Sequence, residues 1–294
     1  MSKKALRRDL EGYLFALPWI LGLIIFRLGP MIASIVLSFM SWNVLQPPEW
    51  VGLRNYTDLI KDQLFWTSLV NTVYYVVGRV PLVMIGALIV AMLLRRTFFA
   101  TKVFRTIYYL PTITPAVSAA LLWAWMFDPL YGVVNALLSL VGIKGPGWLA
   151  SPEWAMPALI LVNVWAIGTT MVIYLAGLQG VPVQLYEAAE IDGAGRWDKI
   201  VHVTIPMVTP VIFFNLIMGI IFSFQVFVNA YVMTNGGPAN ATLVYVLYLY
   251  QQGFQFLHMG YASALAWILF VIILLFTAAT FRSSGWVYYE GTGR

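Results

Sequence analysis

The stretch that decides the fold is Val181–Pro206, which reads VPVQLYEAAEIDGAGRWDKIVHVTIP. It holds four of the twelve acidic residues in the chain, two of the seventeen Lys and Arg, and one of the two His. Long apolar runs with almost no charge lie on both sides of it. A polar segment that contains Gly, in so apolar a chain, indicates a loop outside a membrane to which a soluble partner can bind.

The composition indicates a membrane protein. Of 294 residues, 61% are hydrophobic and 10% are charged, whereas a soluble domain carries about 25% charged residues. A spanning helix needs about 20 apolar residues, and six such runs occur, at approximately 13–42, 66–94, 106–127, 154–178, 207–233 and 259–281. We predict an all-α polytopic protein with six transmembrane helices in one domain over residues 1–294. Cysteine is absent, which excludes a disulfide framework.

Several breaks in the apolar pattern predict local structure. The basic N-terminus enters the first run without a small-residue cleavage site, so we expect an uncleaved first helix. Pro111 and Pro115 break the third span. We expect residues 43–65 to form a short folded lid and residues 239–258 to form an aromatic outer segment. The sequence of Thr234–Pro238 predicts a turn.

The positive residues predict the orientation. The segments on the side of the N-terminus hold twelve Lys and Arg, at positions 3, 4, 7, 8, 95, 96, 102, 105, 196, 199, 282 and 294. The opposite segments hold three, at positions 54, 61 and 144. This asymmetry predicts that both termini and the 181–206 loop are cytoplasmic. Because the positive residues flank apolar spans and form no patch, the net charge of +5 does not indicate a nucleic-acid partner.

The spans show no coupling chemistry of their own. A proton-coupled secondary carrier needs acidic residues or His within the membrane, and none of the six spans has one at its centre. The two charges within spans, Arg27 and Arg79, lie beside prolines. We interpret each arginine as bonding to backbone carbonyls that the neighbouring proline leaves without a partner, or as reaching the membrane interface. A role in a solute path is the alternative.

An ATP-driven pump needs a phosphate-binding loop such as G-x-x-x-x-G-K-[ST], and no Gly-Lys pair occurs in the chain. If transport is energised, the energy must therefore come from another polypeptide. A membrane-embedded enzyme is a further alternative, but no convergent set of nucleophile, base or metal ligands is found.

The loop itself predicts two helices joined by a turn. Pro182 can start a helix over 184–192, in which Leu185, Ala188, Ala189 and Asp192 share one face. Two alanines on that face allow close approach of another backbone, and Glu187 and Glu190 offer charge to a basic partner. Gly193 and Gly195 break the helix, and we expect a second short helix over Arg196–Val203 before Pro206. An ordinary amphipathic surface loop is the alternative.

The loop resembles the EAA motif of membrane subunits of binding-protein-dependent ABC importers, EAA-x3-G-x9-I-x-L-P. Glu187-Ala188-Ala189, Gly193 and Val203–Pro206 match it, with Val203 in place of Ile and Ile205 in place of Leu. With the later Thr234–Pro238 segment, the chain is similar to the carbohydrate importers in particular, from about Tyr13 to the C-terminus. The resemblance implies a type I ABC importer permease fold, in a bacterial or archaeal cytoplasmic membrane.

The resemblance also implies partners. The loop would fit as a coupling helix into an ATPase subunit, with Glu187 as its principal polar contact. The residues assigned to ATPase coupling are Glu187, Ala188, Ala189, Asp192, Gly193, Gly195 and Pro206. The complex would contain a second similar membrane subunit, two ATPase subunits and an extracytoplasmic binding protein. This chain would bind no cofactor, since ATP and Mg would be held by the ATPase.

A solute path requires polar or aromatic groups that face a cavity. The residues assigned to the path are Thr112, Asn163, Thr170, Gly219, Phe222, Ser223, Gln225 and Asn229, with Thr114, Thr169 and Asn215 as further polar candidates. The chain also resembles the larger membrane subunit of the maltose transporter. This resemblance implies that the sugar-contacting positions are Thr112, Ala116, Asn163, Ile167, Thr170, Gly219, Phe222, Ser223 and Val226. Hydrogen bonding within or between helices is the alternative for each polar residue. A glycerol-phosphate or polyol importer of the same family is the alternative function.

Overall fold

The computed structural model describes residues 3–95 and 99–288, with side chains from Gly12 onward. Arg96 and Arg294, and the side chains of the four basic residues at the N-terminus, lie outside this description. The predicted orientation of the chain, which depends partly on these charges, stays a prediction.

The described residues are mostly helical. Fifteen α-helices are α1 Lys3–Leu23, α2 Gly29–Ser38, α3 Arg54–Lys61, α4 Gln63–Arg95, α5 Thr101–Ile113, α6 Ala116–Met126, α7 Val133–Leu140, α8 Pro152–Trp165, α9 Gly168–Gln179, α10 Val183–Ile191, α11 Arg196–Lys199, α12 Ile205–Phe224, α13 Val228–Met233, α14 Tyr245–Tyr250 and α15 Met259–Arg282. Wider π turns cover Ile24–Leu28, Ile200–Thr204 and Gln251–Gln255, and a 3₁₀ turn covers Ser284–Trp286. Strands β1 Met40–Ser41 and β2 Glu49–Trp50 form one antiparallel pair with Met40 opposite Trp50.

Four helical stretches in the described part are long and apolar enough to cross a membrane: Gly12–Ser38, Gln63–Arg95, Arg196–Met233 and Met259–Trp286. Two further stretches qualify as bent pairs, α5 with α6 at 100° and α8 with α9 at 47°. The number of spans is six if each bent pair is one span. The first bend lies where Pro111 and Pro115 interrupt the sequence, because Pro115 cannot donate a helical hydrogen bond.

The chain divides into two compact units, Met1–Asp62 with Leu249–Ile268, and Gln63–Tyr248 with Leu269–Arg294. In the first unit, the predicted lid is a β-turn-helix element anchored by Asn55. The Nδ2 atom of Asn55 donates to the carbonyls of Ser38 and Met40, at 2.8 and 2.9 Å. The Tyr261 hydroxyl donates to Asp62 at 2.6 Å. These polar contacts close the lid onto the start of α15.

In the second unit, α4 is the central helix and contacts α8, α9 and α12. Its buried Val83, Ala87 and Ala91 recur every fourth residue and therefore lie on one face. Small side chains at this spacing let a neighbouring helix approach closely, and Met171 and Tyr174 of α9 fill the same core. A second core holds Phe127, Trp148, Ala158 and Val162.

The fifth predicted span, 207–233, lies within the stretch Arg196–Met233, which has one local interruption. Helix α12 ends at Phe224, and a break over 225–227 separates it from α13. The start of this span also differs from the prediction. A separate helix was expected over Arg196–Val203, but α11, the π turn and α12 follow one another without interruption. Pro206 has no N–H to donate into the preceding turn, and the wider π turn before it accommodates that loss.

Candidate functional site

The first candidate site is the loop around α10, and its ends are formed by local hydrogen bonds. Pro182 precedes the helix with an extended backbone. At the other end, the N–H groups of Gly193 and Ala194 donate to the carbonyls of Glu190 and Ala189, which is a Schellman motif. The φ of +82° at Gly193 is the left-handed conformation that this motif requires. The predicted helix and its glycine break are therefore confirmed.

The next helix begins with a cap of its own. The carboxylate of Asp198 accepts a hydrogen bond from the Gly195 N–H at 2.9 Å. An acid three residues after the cap position also interacts favourably with the helix N-terminus. Gly195 therefore joins the two helices through a defined turn.

The outer surface of the loop is apolar and uncovered. The exposed fractions are 60% for Val183, 87% for Ile191 and 76% for Trp197. Glu187 and Ala188 are exposed as well, and Ala189 is half-buried. Glu187 makes no ion pair with any residue that the structure describes. An exposed apolar patch rimmed by charge is typical of a protein-binding surface.

Glu190 forms an ion pair within the chain. Its carboxylate accepts a hydrogen bond from the Lys199 ammonium and forms an ion pair with it. This contact holds the pKa of Glu190 below its usual value. Glu190 therefore has a counter-charge across the turn, and its contact with a partner protein stays a prediction.

The inner side of α10 is attached to α4 and to the π turn. The Tyr186 hydroxyl accepts a hydrogen bond from Arg95 and shares a second one with Thr204, at 2.7 and 3.0 Å. A cavity of about 660 Å³ lies behind these residues, and Glu190, Arg196 and Lys199 also line it. These contacts connect the loop to the end of α4.

The second candidate site is a cavity of about 400 Å³ among α4, α9 and α12. It is lined by Arg79, Val80, Val83, Met84, Ala166, Thr169, Thr170, Ile173, Phe214, Asn215, Met218, Gly219 and Phe222. This volume lies within the range of small-molecule sites, which are mostly apolar with a few oriented polar groups. The rings of Phe214 and Phe222 are 50% and 60% exposed, so flat apolar surface is available to a solute.

Arg79 is the charged residue of this cavity. Its Nε atom donates to Oδ1 of Asn163 at 3.0 Å, and its Nη1 atom donates to Oγ of Ser223 at 2.7 Å. Asn163 is itself oriented, since its Nδ2 atom donates to the Tyr75 hydroxyl and to the Leu159 carbonyl. The favoured interpretation of Arg79, bonding to carbonyls freed by the proline or reaching an interface, is therefore wrong, because its guanidinium bonds two side chains at the wall of a cavity.

Arg27 differs from Arg79. It lies in the π turn after α1 with an exposed side chain, and it has no hydrogen bond to the described residues. The expectation that it bonds freed carbonyls is not met.

The predicted path residues fall into three groups. Thr170, Gly219 and Phe222 line the cavity, and Asn163 and Ser223 hold its arginine. The remaining three lie outside the lining. Thr112 packs where α5 crosses α9, Gln225 follows the end of α12, and Asn229 lies on α13 beyond the break.

Hydrogen bonding separates the polar candidates further. Side chains that donate to a carbonyl of their own helix or its last turn are Thr112, Thr114, Asn163, Asn215, Ser223 and Gln225. The hydroxyls of Thr169 and Thr170 make no hydrogen bond to the residues described. These two threonines are therefore the hydroxyls best placed to bond a solute.

The sequence interpretation did not assign several cavity residues. Val80, Val83, Met84, Ile173, Phe214 and Met218 form the apolar wall, and Tyr75 orients Asn163. Apolar residues in a span give no signal that separates a cavity wall from a core or lipid-facing position. Arg79 did carry a signal, namely a charge in the middle of an apolar run.

Comparison with known proteins identifies the family. Residues 83–287 match the model for the binding-protein-dependent transport system inner membrane component, and the chain belongs to that family. It is 42% identical to the probable ABC transporter permease protein YesP of Bacillus subtilis (strain 168), over 98% of this chain and 96% of that protein. It is 36% identical to the lactose transport system permease protein LacF of Rhizobium radiobacter, over 96% of this chain and 97% of that protein.

A solved structure gives the same result for the fold. A chain of the bacterial alginate ABC transporter, in complex with an alginate pentasaccharide-bound periplasmic protein, aligns with a TM-score of 0.85 and 26% identity. The alignment covers 96% of each chain. The predicted all-α, type I permease fold of a multi-pass membrane protein is thus confirmed.

Proposed function

We propose that this chain is a membrane subunit of an ATP-driven importer and that it carries a sugar or related carbohydrate through the cavity around Arg79. The observation that carries the proposal is the uncovered apolar surface of Val183, Ile191 and Trp197 beside the unpaired Glu187. Exposed apolar surface of this kind marks a protein-binding or membrane-contacting site, and the charge of Glu187 beside it favours a protein. The family supplies the nature of that partner, since its members function in binding-protein-dependent transport.

The partners follow from this role. An ATPase subunit covers the α10 surface, a second similar membrane subunit completes the pathway, and an extracytoplasmic binding protein delivers the solute. ATP hydrolysis takes place on the ATPase, so this chain is a transport subunit and not an enzyme. Both termini and the loop are cytoplasmic. ATP and the loaded binding protein drive transport only if each binds one conformation of the importer better than the other.

A carbohydrate fits the cavity chemically. Sugars present apolar ring faces and hydroxyl edges, and the cavity offers the exposed rings of Phe214 and Phe222 with the hydroxyls of Thr169 and Thr170. Relatives named as permeases for lactose, arabinooligosaccharides and trehalose/maltose support this class of cargo. A glycerol-phosphate or polyol importer is the second candidate, because the positive charge of Arg79 would attract the phosphate group of such a solute.

A secondary carrier is disfavoured by the same cavity. Within the described residues, its lining contains no Asp, Glu or His that could take up and release a proton.

Transport by the reconstituted complete importer tests the proposal. Proteoliposomes are loaded with ATP, and uptake of labelled oligosaccharides is measured with binding protein outside, with and without an uncoupler. We expect uptake to require ATP and the binding protein and to persist when the proton gradient collapses. Loss of uptake on adding uncoupler at constant ATP would show a secondary carrier instead.

A further inference from the structure

Arg79 is a cation that forms no ion pair with any residue that the structure describes. It lies sixteen positions from each end of α4, which is about 24 Å from either end at 1.5 Å per residue. Both of its partners, Asn163 and Ser223, are neutral. No carboxylate belongs to the cavity lining in the part of the chain that is described. The nearest acid along α8 is Glu153, ten residues and about 15 Å before Asn163.

The neutral partners are arranged to hold the guanidinium and leave donors free. The amide of Asn163 directs its oxygen to Arg79 because its nitrogen already donates to Tyr75 and Leu159. The Ser223 hydroxyl donates to the Gly219 carbonyl and accepts from Arg79. A guanidinium has five N–H donors, and the described contacts use one on Nε and one on Nη1. The remaining donors are available on the side of the cavity that Arg79 lines.

Arg79 is half-buried, so its guanidinium is partly withdrawn from water. A planar guanidinium binds carboxylates and phosphates through paired N–H donors. A transported solute that carries an anionic group supplies the missing charge. The solute supplies this charge only while it is bound, so the site is free for the next solute after release.

From this geometry we infer that the carbohydrate carried by this subunit is anionic and that Arg79 binds its acidic group. The inference rests on the proposed function and names the substrate class of its cavity. A single cation balances a single negative charge, which a sugar carboxylate provides. A phosphate monoester carries about −1.5 to −2 at neutral pH, so it exceeds what Arg79 alone can balance. The favoured class is therefore a sugar acid, with the Phe222 and Phe214 rings available to the sugar faces.

Direct binding to the assembled membrane complex, without the binding protein, tests this inference. The binding protein is omitted because it has a specificity of its own. The complete complex of the two membrane subunits and the ATPases is titrated with three probes: an aldobiouronate, which is a disaccharide with one carboxylate, lactose as a neutral disaccharide, and glycerol 3-phosphate. Variants Arg79→Gln and Arg79→Lys are compared with wild type. Arg27→Gln is the matched control, since it removes an arginine from an apolar span outside the cavity.

We expect wild type to bind the aldobiouronate at least about tenfold more tightly than lactose, which corresponds to about 1.4 kcal/mol. Arg79→Gln removes this preference, Arg79→Lys retains part of it, and Arg27→Gln leaves it unchanged. Stronger binding of glycerol 3-phosphate than of the aldobiouronate contradicts the sugar acid. A preference for lactose, an equal affinity for both disaccharides, or a preference that persists in Arg79→Gln overturns the inference. If Arg79→Gln fails to assemble, the preference of the wild type and its partial loss in Arg79→Lys still test the inference.

The same preparation separates this inference from the proposed function. ATP-dependent uptake of neutral oligosaccharides alone would leave the importer standing and contradict the anionic substrate. Absence of ATP-dependent uptake for every carbohydrate tested would contradict the importer itself.

Discussion

The Nη1 atom of Arg95 donates a 2.7 Å hydrogen bond to the hydroxyl of Tyr186, and its guanidinium carbon lies 4.6 Å from the centre of the same ring. Arg95 is the last residue of α4, and Tyr186 is in the middle of α10. One side chain pair therefore attaches the exposed loop helix to the central helix of its unit.

Replacing Tyr186 tests this attachment. Tyr186→Phe removes the hydrogen bonds to Arg95 and Thr204 and keeps the ring, so we expect a loss of about 1–3 kcal/mol in stability of the loop region. Tyr186→Ala removes the cation–π contact as well and has a larger effect. Amide hydrogen exchange of residues 183–192 measures the change. Equal exchange in wild type and Tyr186→Ala would show that the pair does not hold the loop.

Glu187→Lys is expected to abolish coupling without removing the protein from the membrane. The side chain is exposed and unpaired in the described structure, so the folded chain tolerates the change, whereas the charge reversal opposes a basic ATPase surface. We expect at least about a tenfold loss of ATP hydrolysis stimulated by the loaded binding protein, as expected for an unpaired charge buried in an interface.

The control for this variant is Glu49→Lys, which reverses an exposed glutamate on β2. We expect normal stimulation in the control. Normal stimulation in Glu187→Lys would show that Glu187 is not part of the coupling surface.

The ion pair of Glu190 with Lys199 gives a prediction about pH. Because the pKa of Glu190 is lowered in the folded chain, its stabilising contribution is present above the ordinary Glu pKa of about 4.3. The contribution is lost as the pH falls through the lowered value. Lys199→Met removes the cause, and we expect the pKa of Glu190 to rise. Carboxyl-carbon NMR titration of labelled glutamates measures this, and an unchanged Glu190 pKa in the variant would contradict the pairing.

Gly168 is required where α9 crosses α5. A Cβ added at Gly168 would lie 2.4 Å from the Tyr108 carbonyl oxygen and 2.8 Å from Cα of Tyr109. Both are backbone atoms, so the helices must move apart, and we expect Gly168→Ala to cost about 1–3 kcal/mol. Gly86→Ala is the matched control, because its nearest neighbour would be 3.9 Å away. Thermal stability of the purified protein distinguishes the two, and equal melting temperatures would contradict the close crossing.

Thr170→Met is expected to reduce solute binding while leaving assembly intact. Thr170 lines the cavity and its hydroxyl is unpaired within the described residues, so the larger side chain occupies space and removes a donor. We expect about a tenfold weaker apparent affinity in uptake. Thr106→Met, at an exposed position of α5 outside the cavity lining, is the control. An unchanged affinity in Thr170→Met would exclude this residue from the path.

Local features of the chain were predictable from its sequence. The apolar runs predicted the long helices because a span must satisfy its backbone internally. The glycine at 193 predicted the end of α10, since only a few residues adopt its backbone conformation. The proline pair at 111 and 115 predicted the break between α5 and α6.

Distant contacts were not predictable in the same way. Arg79 and Asn163 are 84 positions apart, and Arg79 and Ser223 are 144 apart. Hydrophobic periodicity places a residue on a helix but does not determine which helix it meets. The ion pair of Glu190 was missed for the same reason, because its partner Lys199 lies on the other side of a turn whose direction is set by Gly193 and Gly195.

The continuous helical path from Arg196 to Phe224 has a mechanical consequence. Its backbone runs without a break from the exposed Trp197 past Gly219 in the cavity wall, a length of about 33 Å at 1.5 Å per residue. A helical path of this length can carry a tilt at one end to a displacement at the other, with the π turn at Ile200–Thr204 and Pro206 as the places where it can bend. We therefore expect a partner that displaces Trp197 to move Gly219 and Phe222 together.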